Sequence, residues 1–103
     1  MGLAIQLQNE HGVALAPAVE DRTNSFAKLL PSEDDKSFHL IRYVDRYGNT
    51  LFNGIQMNDL RLDLALLERR ATNAADRQTI AAIKELTQRC EEEPHRYLKF
   101  IGD

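Results

Sequence analysis

The chain has 103 residues, of which 43% are hydrophobic and 28% charged, the composition of one globular domain spanning residues 1–103 rather than of a disordered segment. Thirteen Lys and Arg against sixteen Asp and Glu leave a formal charge of −3 with the two signs interspersed, so the basic stripe that a nucleic-acid partner demands is missing. Cys90 is the single cysteine, which excludes an intramolecular disulfide, a CxxC redox pair and a cysteine-rich zinc site, and fits a reducing, cytoplasmic setting.

The opening residues, MGLAIQLQNEHG, lack the basic segment, apolar run and cleavage site of an export signal, and Gln6 stands where a myristoylation pattern wants Ser or Thr. No apolar run approaches the length of a membrane span, so none is expected. Leu3, Ile5 and Leu7 alternate with Ala4, Gln6 and Gln8, and a second run, Val13 to Ala16, follows the polar Asn9-Glu10-His11-Gly12; together they predict an amino-terminal β-hairpin. Pro17 has no N–H to donate, so it ends the second arm or places it at an edge. Asn24 or Ser25 caps a short helix carrying Phe26, Leu29 and Leu30, which Pro31 closes. Ser32-Glu33-Asp34-Asp35-Lys36 reads as an acidic loop, either simply solvated or facing a partner.

From Phe38 to Val44, Phe38, Leu40, Arg42 and Val44 alternate with His39, Ile41 and Tyr43, apolar on both faces, and predict a mid-sheet strand. Asp45 to Thr50 is a turn, with Gly48 and Asn49 suited to positive φ, and Thr50 to Ile55 is the return arm of a second hairpin. Leu60 to Leu66 alternates as strictly as a strand, yet it holds no β-branched residue, is rich in helix formers and follows a start signal at Asn58 or Asp59; a helix to Arg70 is expected. Its stripe is Met57, Leu60, Leu64, Leu67 and Ala71, with Leu62 and Leu66 off the stripe. That pair packs in the core or covers a second subunit, which fits a monomer or weak homodimer.

Asn73 with Asp76 opens a second helix to about Glu92, striped with Ile80, Ile83, Leu86, Thr87 and Cys90, and Glu85 and Arg89 are spaced for an i,i+4 pair. The short link makes the two helices antiparallel neighbours. Glu91, Glu92 and Glu93 stand at the carboxyl end, where the helix dipole disfavours acid, before Pro94 forbids continuation; their placement argues for a role outside stability. Tyr97 to Ile101 closes the chain as a strand beside the second hairpin. The expected fold is α+β: an antiparallel-rich sheet of about five strands, two hairpins plus the closing strand, with two antiparallel helices packed on one face.

No two of His11, His39 and His95 are spaced as ligands on one element, so no metal is expected, and Cys90 on an apolar stripe reads as a buried structural thiol rather than a nucleophile paired with His95. With no phosphate-cradling glycine pattern, GxSxG elbow or HExxH, neither catalytic residues nor a cofactor are expected. Arg42, Asp45, Tyr47, Asn53 and Gln56 gather on or beside the second hairpin, where they bond turn backbone and pair with acids, or else form a rigid recognition tip. Joined by Asp34, Asp35, Glu91, Glu92 and Glu93, whose charge steers a basic partner, they make up the candidate partner-binding set.

The string Arg42-Tyr43-Val44-Asp45-Arg46-Tyr47-Gly48-Asn49-Thr50-Leu51-Phe52-Asn53, with Gln56 shortly after, and the ending His95 to Asp103 resemble small bacterial proteins of unassigned activity, some of them similar to immunity proteins of bacterial toxin systems. The likeness covers roughly residues 38–103 and rests on motifs that determine the fold, so it transfers no functional residue. It implies a non-catalytic binder of another protein; with the cysteine usage, the acidic segments and the charge pattern above, the expectation is a cytoplasmic immunity protein for a basic toxin domain, with no nucleic-acid or membrane partner. The alternative is a small ligand-binding domain or enzyme with a pocket between sheet and helices.

Overall fold

The computed structural model describes residues 2–21 and 23–102. Among these, four strands, β1 (Ala4–Asn9), β2 (Val19–Glu20), β3 (Asn49–Asn53) and β4 (Arg96–Ile101), form one antiparallel sheet in the order β2-β1-β4-β3. Alternation along the inner strands sends Ile5, Leu7, Leu98 and Phe100 to one fully buried face. Phe52 of β3 joins them by meeting Phe100 edge to face, with ring centroids 5.7 Å apart.

That face is covered by α2 (Met57–Arg70) and α3 (Ala74–Glu92), while the short α1 (Ser25–Leu29) packs beside them. The helical periodicity of Leu60 to Leu66 prevails over its alternation, and α2 buries Met57, Leu60, Leu64 and Leu67. Leu62 and Leu66 part company: Leu66 packs against the core, whereas Leu62 stays 54% exposed. The α3 stripe is as expected, and the Asn73 carboxamide oxygen caps the helix by accepting the Asp76 N–H at 2.8 Å. Arg89 reaches across to donate to the Leu15 carbonyl at 3.4 Å in place of the expected pairing with Glu85. For α1 the capping acceptor lies further back: the buried Asp21 carboxylate takes the N–H groups of Phe26 and Ala27 at 3.1 and 2.8 Å.

The sheet has four strands rather than five, and Phe38 to Val44 is not one of them. Asp63, wholly buried on α2, accepts the backbone N–H groups of His39, Leu40 and Ile41 at 2.9, 2.7 and 3.0 Å, and the chain winds into a 3-10 turn over Ile41–Tyr43. Donors committed to a carboxylate cannot enter a ladder. Phe38 and Ile41 are buried in the core without belonging to the sheet, and the Arg70 guanidinium lies 4.7 Å over the Phe38 ring. β3 therefore pairs with β4, and β4 lies inside the sheet, between β1 and β3.

The amino-terminal hairpin forms in part. After β1 the chain reverses through Asn9 to Gly12, where Gly12 adopts φ +81° and donates to the Asn9 carbonyl at 3.1 Å. Gln8 bridges Ala14 and Leu15 donates to the Leu7 carbonyl at 2.8 Å, but Pro17 breaks the arm, and only Val19–Glu20 continue as regular strand.

Asp63→Ala leaves three backbone donors without their acceptor and is expected to destabilise the fold by roughly 3–5 kcal/mol in urea or thermal unfolding. A loss below about 1 kcal/mol is incompatible with the part assigned to this carboxylate.

Candidate functional site

At the end of β3 the sequence Asn53-Gly54-Ile55-Gln56 builds a rigid corner. The Asn53 side chain accepts the Gln56 N–H at 3.2 Å, and the Gln56 side chain accepts the Asn53 N–H at 2.9 Å, a reciprocal cap over the 3-10 turn Gly54–Gln56 that leads into α2. Gly54 sits against the last turn of α3, where an added Cβ would lie 3.3 Å from the Cys90 carbonyl oxygen, so the close approach favours glycine. Ile55 is turned away from the core and is 93% exposed.

Ile55 borders a surface hollow of about 600 Å³ that Asn53, Glu91, Glu92, Glu93, Pro94 and Tyr97 also line. Two of the three glutamates are engaged: Glu91 pairs with Arg61 at 2.7 Å, and Glu93 with Arg96 at 2.6 Å. A second guanidinium nitrogen of Arg96 donates to the Arg89 carbonyl at 2.7 Å and so fastens the start of β4 to the end of α3. Glu92 has no side-chain partner among the described residues. Its carboxylate adds to the negative partial charge at the carboxyl end of α3, so the hollow, which His95 and Arg96 also line, joins an exposed aliphatic side chain to one unpaired carboxylate among paired charges.

The structure divides the sequence-predicted residues among three places. Asn53, Glu91, Glu92 and Glu93 meet at this hollow, and Gln56 shapes its corner. Arg42, Asp45 and Tyr47 border another, of about 590 Å³, together with Pro31, Glu33 and Tyr43. There Asp45 accepts the Tyr47 N–H at 2.8 Å and donates its own N–H to Thr50 at 3.0 Å, which fixes the turn before β3. Arg42 donates to the Glu33 carbonyl at 2.6 Å, with its guanidinium 4.3 Å over the Tyr43 ring, rather than pairing with Asp45. Asp34 and Asp35 lie at the other end of α2, a helix of 14 residues and hence about 20 Å long. Asp35 is held there by Ser37, whose hydroxyl and amide both donate to it, and by Arg70 at 3.3 Å; these bonds keep its carboxyl below the ordinary range.

The apolar residues of Thr50 to Ile55 predict one continuous strand, which hides Ile55 as an exposed residue. The signal was present in Asn53-x-x-Gln56, a capping-box spacing that places a helix start at residue 53. Glu10 is approached by His95 at 3.5 Å and by His11 at 3.8 Å, but no group of three or more His, Cys, Asp and Glu among the described residues is arranged to hold a metal ion. The interior between sheet and helices, where a ligand pocket was the alternative, is filled by Ile5, Leu7, Leu64, Ile83, Leu98 and Phe100, all fully buried. Compared with protein-family models, curated proteins and solved structures, the chain has no match in any of the three.

Cys90 lies under the hollow, fully buried, and burial raises its thiol to about 11 against a weaker opposing pull from Arg96. The thiolate is scarce at pH 8, so iodoacetamide is expected to leave the native chain unmodified there and to label it promptly once it is unfolded in guanidinium. Labelling of the native chain at the rate of a free thiol contradicts this placement.

Proposed function

We propose that the chain is a non-catalytic protein-binding module, most simply a cytoplasmic immunity protein that occupies a basic toxin domain and neutralises it. The observation that carries this reading is Ile55, a large aliphatic side chain 93% exposed on a fixed corner, lining the same hollow as the unpaired Glu92. A single exposed aliphatic side chain is ordinary on a folded domain; what supports the reading is its place on a fixed corner at the rim of a hollow with an unpaired acid, the arrangement a recognition surface uses. A Lys or Arg of the partner fits the pair, its methylene stem laid on Ile55 and its head at Glu92 and the end of α3. The resemblance of residues 42–53 and of the chain ending to small bacterial proteins akin to immunity proteins supports the same class. Binding here occludes the partner by contact, so no reacting group is required of this chain.

Co-expression with the polypeptide encoded by the neighbouring reading frame, followed by titration of the purified pair, tests the proposal. Ile55→Asp is expected to weaken the complex at least about tenfold, as loss of an interface anchor does, and to abolish protection of the host cell. Glu92→Lys is expected to weaken it further at low salt than at high salt, because the steering charge is exposed and screened. Asp34→Lys, at the opposite end of α2, is expected to leave the affinity within about twofold. An affinity indifferent to salt and to both hollow substitutions sinks the proposal.

A further inference from the structure

The outer edge of β3 stands open, in the place the sequence pattern had assigned to Phe38 to Val44. Its geometry follows from one bond. Gly102 donates to the Gly48 carbonyl at 2.6 Å, and the register sets Asn49 opposite Ile101, so Gly48 and Gly102 form a hydrogen-bonded pair of the ladder. Hydrogen-bonded and non-bonded pairs alternate in an antiparallel ladder, which makes Thr50 and Phe52 the residues bonded to β4 and turns the N–H and C=O groups of Asn49, Leu51 and Asn53 outward. The Asn53 amide agrees, since it is the one that Gln56 captures. The outward groups of Leu51 have no partner among the described residues, and its side chain is half exposed.

We propose that this edge pairs antiparallel with β3 of a second copy of the chain, about a two-fold axis at Leu51, joining two four-stranded sheets into one. The occupant is argued from the order Asn49-Thr50-Leu51-Phe52-Asn53, which is nearly its own reverse. Centred on Leu51, asparagine faces asparagine, threonine faces phenylalanine and leucine faces leucine, and the outward groups of Leu51 meet their own images. Leu51 exchanges two bonds with its own image, and the Asn49 N–H of each copy faces the Asn53 C=O of the other, a carbonyl that the 3-10 turn already uses and that has one lone pair left to share. The Asn53 N–H is already satisfied by Gln56, which leaves the facing Asn49 C=O to solvent and makes the Leu51 pair the centre of the contact. A shift of two residues forfeits bonds at one end, and a shift of one sets outward groups against inward ones. Strand β3 carries no charge, so nothing repels across the axis, and it has neither proline nor lysine to blunt it. The other edge is treated differently: β2 has only two residues, follows Pro17 and ends on Glu20. A self-matching strand on a two-fold axis is the isologous contact from which symmetric dimers are built.

Sedimentation of the full chain over a concentration series, with amide exchange read residue by residue, tests this proposal, which is independent of the hollow at Ile55. The mass is expected to rise with concentration from 11.8 kDa toward twice that value. The Leu51 and Asn49 amides are expected to exchange about tenfold more slowly at high concentration than at low, while those of Thr50 and Phe52, already held by β4, change little. Leu51→Lys places two like charges opposite each other and is expected to keep the chain monomeric throughout. A parent chain that stays monomeric, a dimer that persists in Leu51→Lys, or concentration-dependent protection at Leu62 instead of Leu51 each overturns the proposal. Should Leu51→Lys fail to fold, the amide pattern of the parent chain decides alone.

Discussion

The three amide groups that Asp63 gathers from His39, Leu40 and Ile41 determine what the sheet can become. A buried carboxylate is costly unless its oxygens are satisfied, and amide donors from a neighbouring segment satisfy them well. The bargain works in both directions, because the segment gains an acceptor for donors that have no ladder to enter. Once it is struck, Phe38 and Ile41 enter the core from a turn instead of a strand, and the sheet ends at β3.

Two more buried aspartates act alike. Asp21 holds the first turn of α1, and Asp76, inside the first turn of α3, takes the Ser25 hydroxyl at 3.0 Å and an Asn73 side-chain amide at 3.2 Å. Each joins irregular chain to a regular element through short, charge-assisted bonds. The long connection between β2 and β3 is thereby fixed at its start by Asp21 and near its end by Asp63. Arg46, which donates to the Leu30 carbonyl at 2.9 Å, ties the two parts of the loop together. Where a regular hairpin would have settled the register by itself, this fold relies on side chains for the same purpose.

The parts of the fold legible in the sequence are those decided locally. The apolar stripes of α2 and α3, the Asn73 cap and the alternation of Leu98 and Phe100 depend on neighbours within a turn or two. Phe38 to Val44 misleads because its alternation is real while its acceptor sits more than twenty residues on, in a helix where an aspartate reads as surface. The same position explains why Asp63 could not be picked out: it falls on the α2 stripe between Leu60 and Leu64, but a carboxylate is counted as polar in any periodicity. Of the candidate site, the acids Glu91 to Glu93 were visible as charges in a place where the helix dipole resists them. Ile55 was not, because an isoleucine at the end of an apolar run looks like core until the cap at Asn53 is noticed.

Asn53 is where the two surfaces of interest divide. Its side chain starts the turn that presents Ile55 to the hollow, and its own N–H, captured by Gln56, is withdrawn from the open edge of β3. The strand therefore stops offering donors where the Asn53–Gln56 corner begins, so a chain lying along the edge is not drawn onward into the hollow. Without this reciprocal cap, the outward row of β3 would run on toward Ile55, and one continuous edge would serve any extended segment that met it. The cap thus does for the far end of β3 what a bulge or a proline does elsewhere: it confines a pairing edge to the length that matches itself.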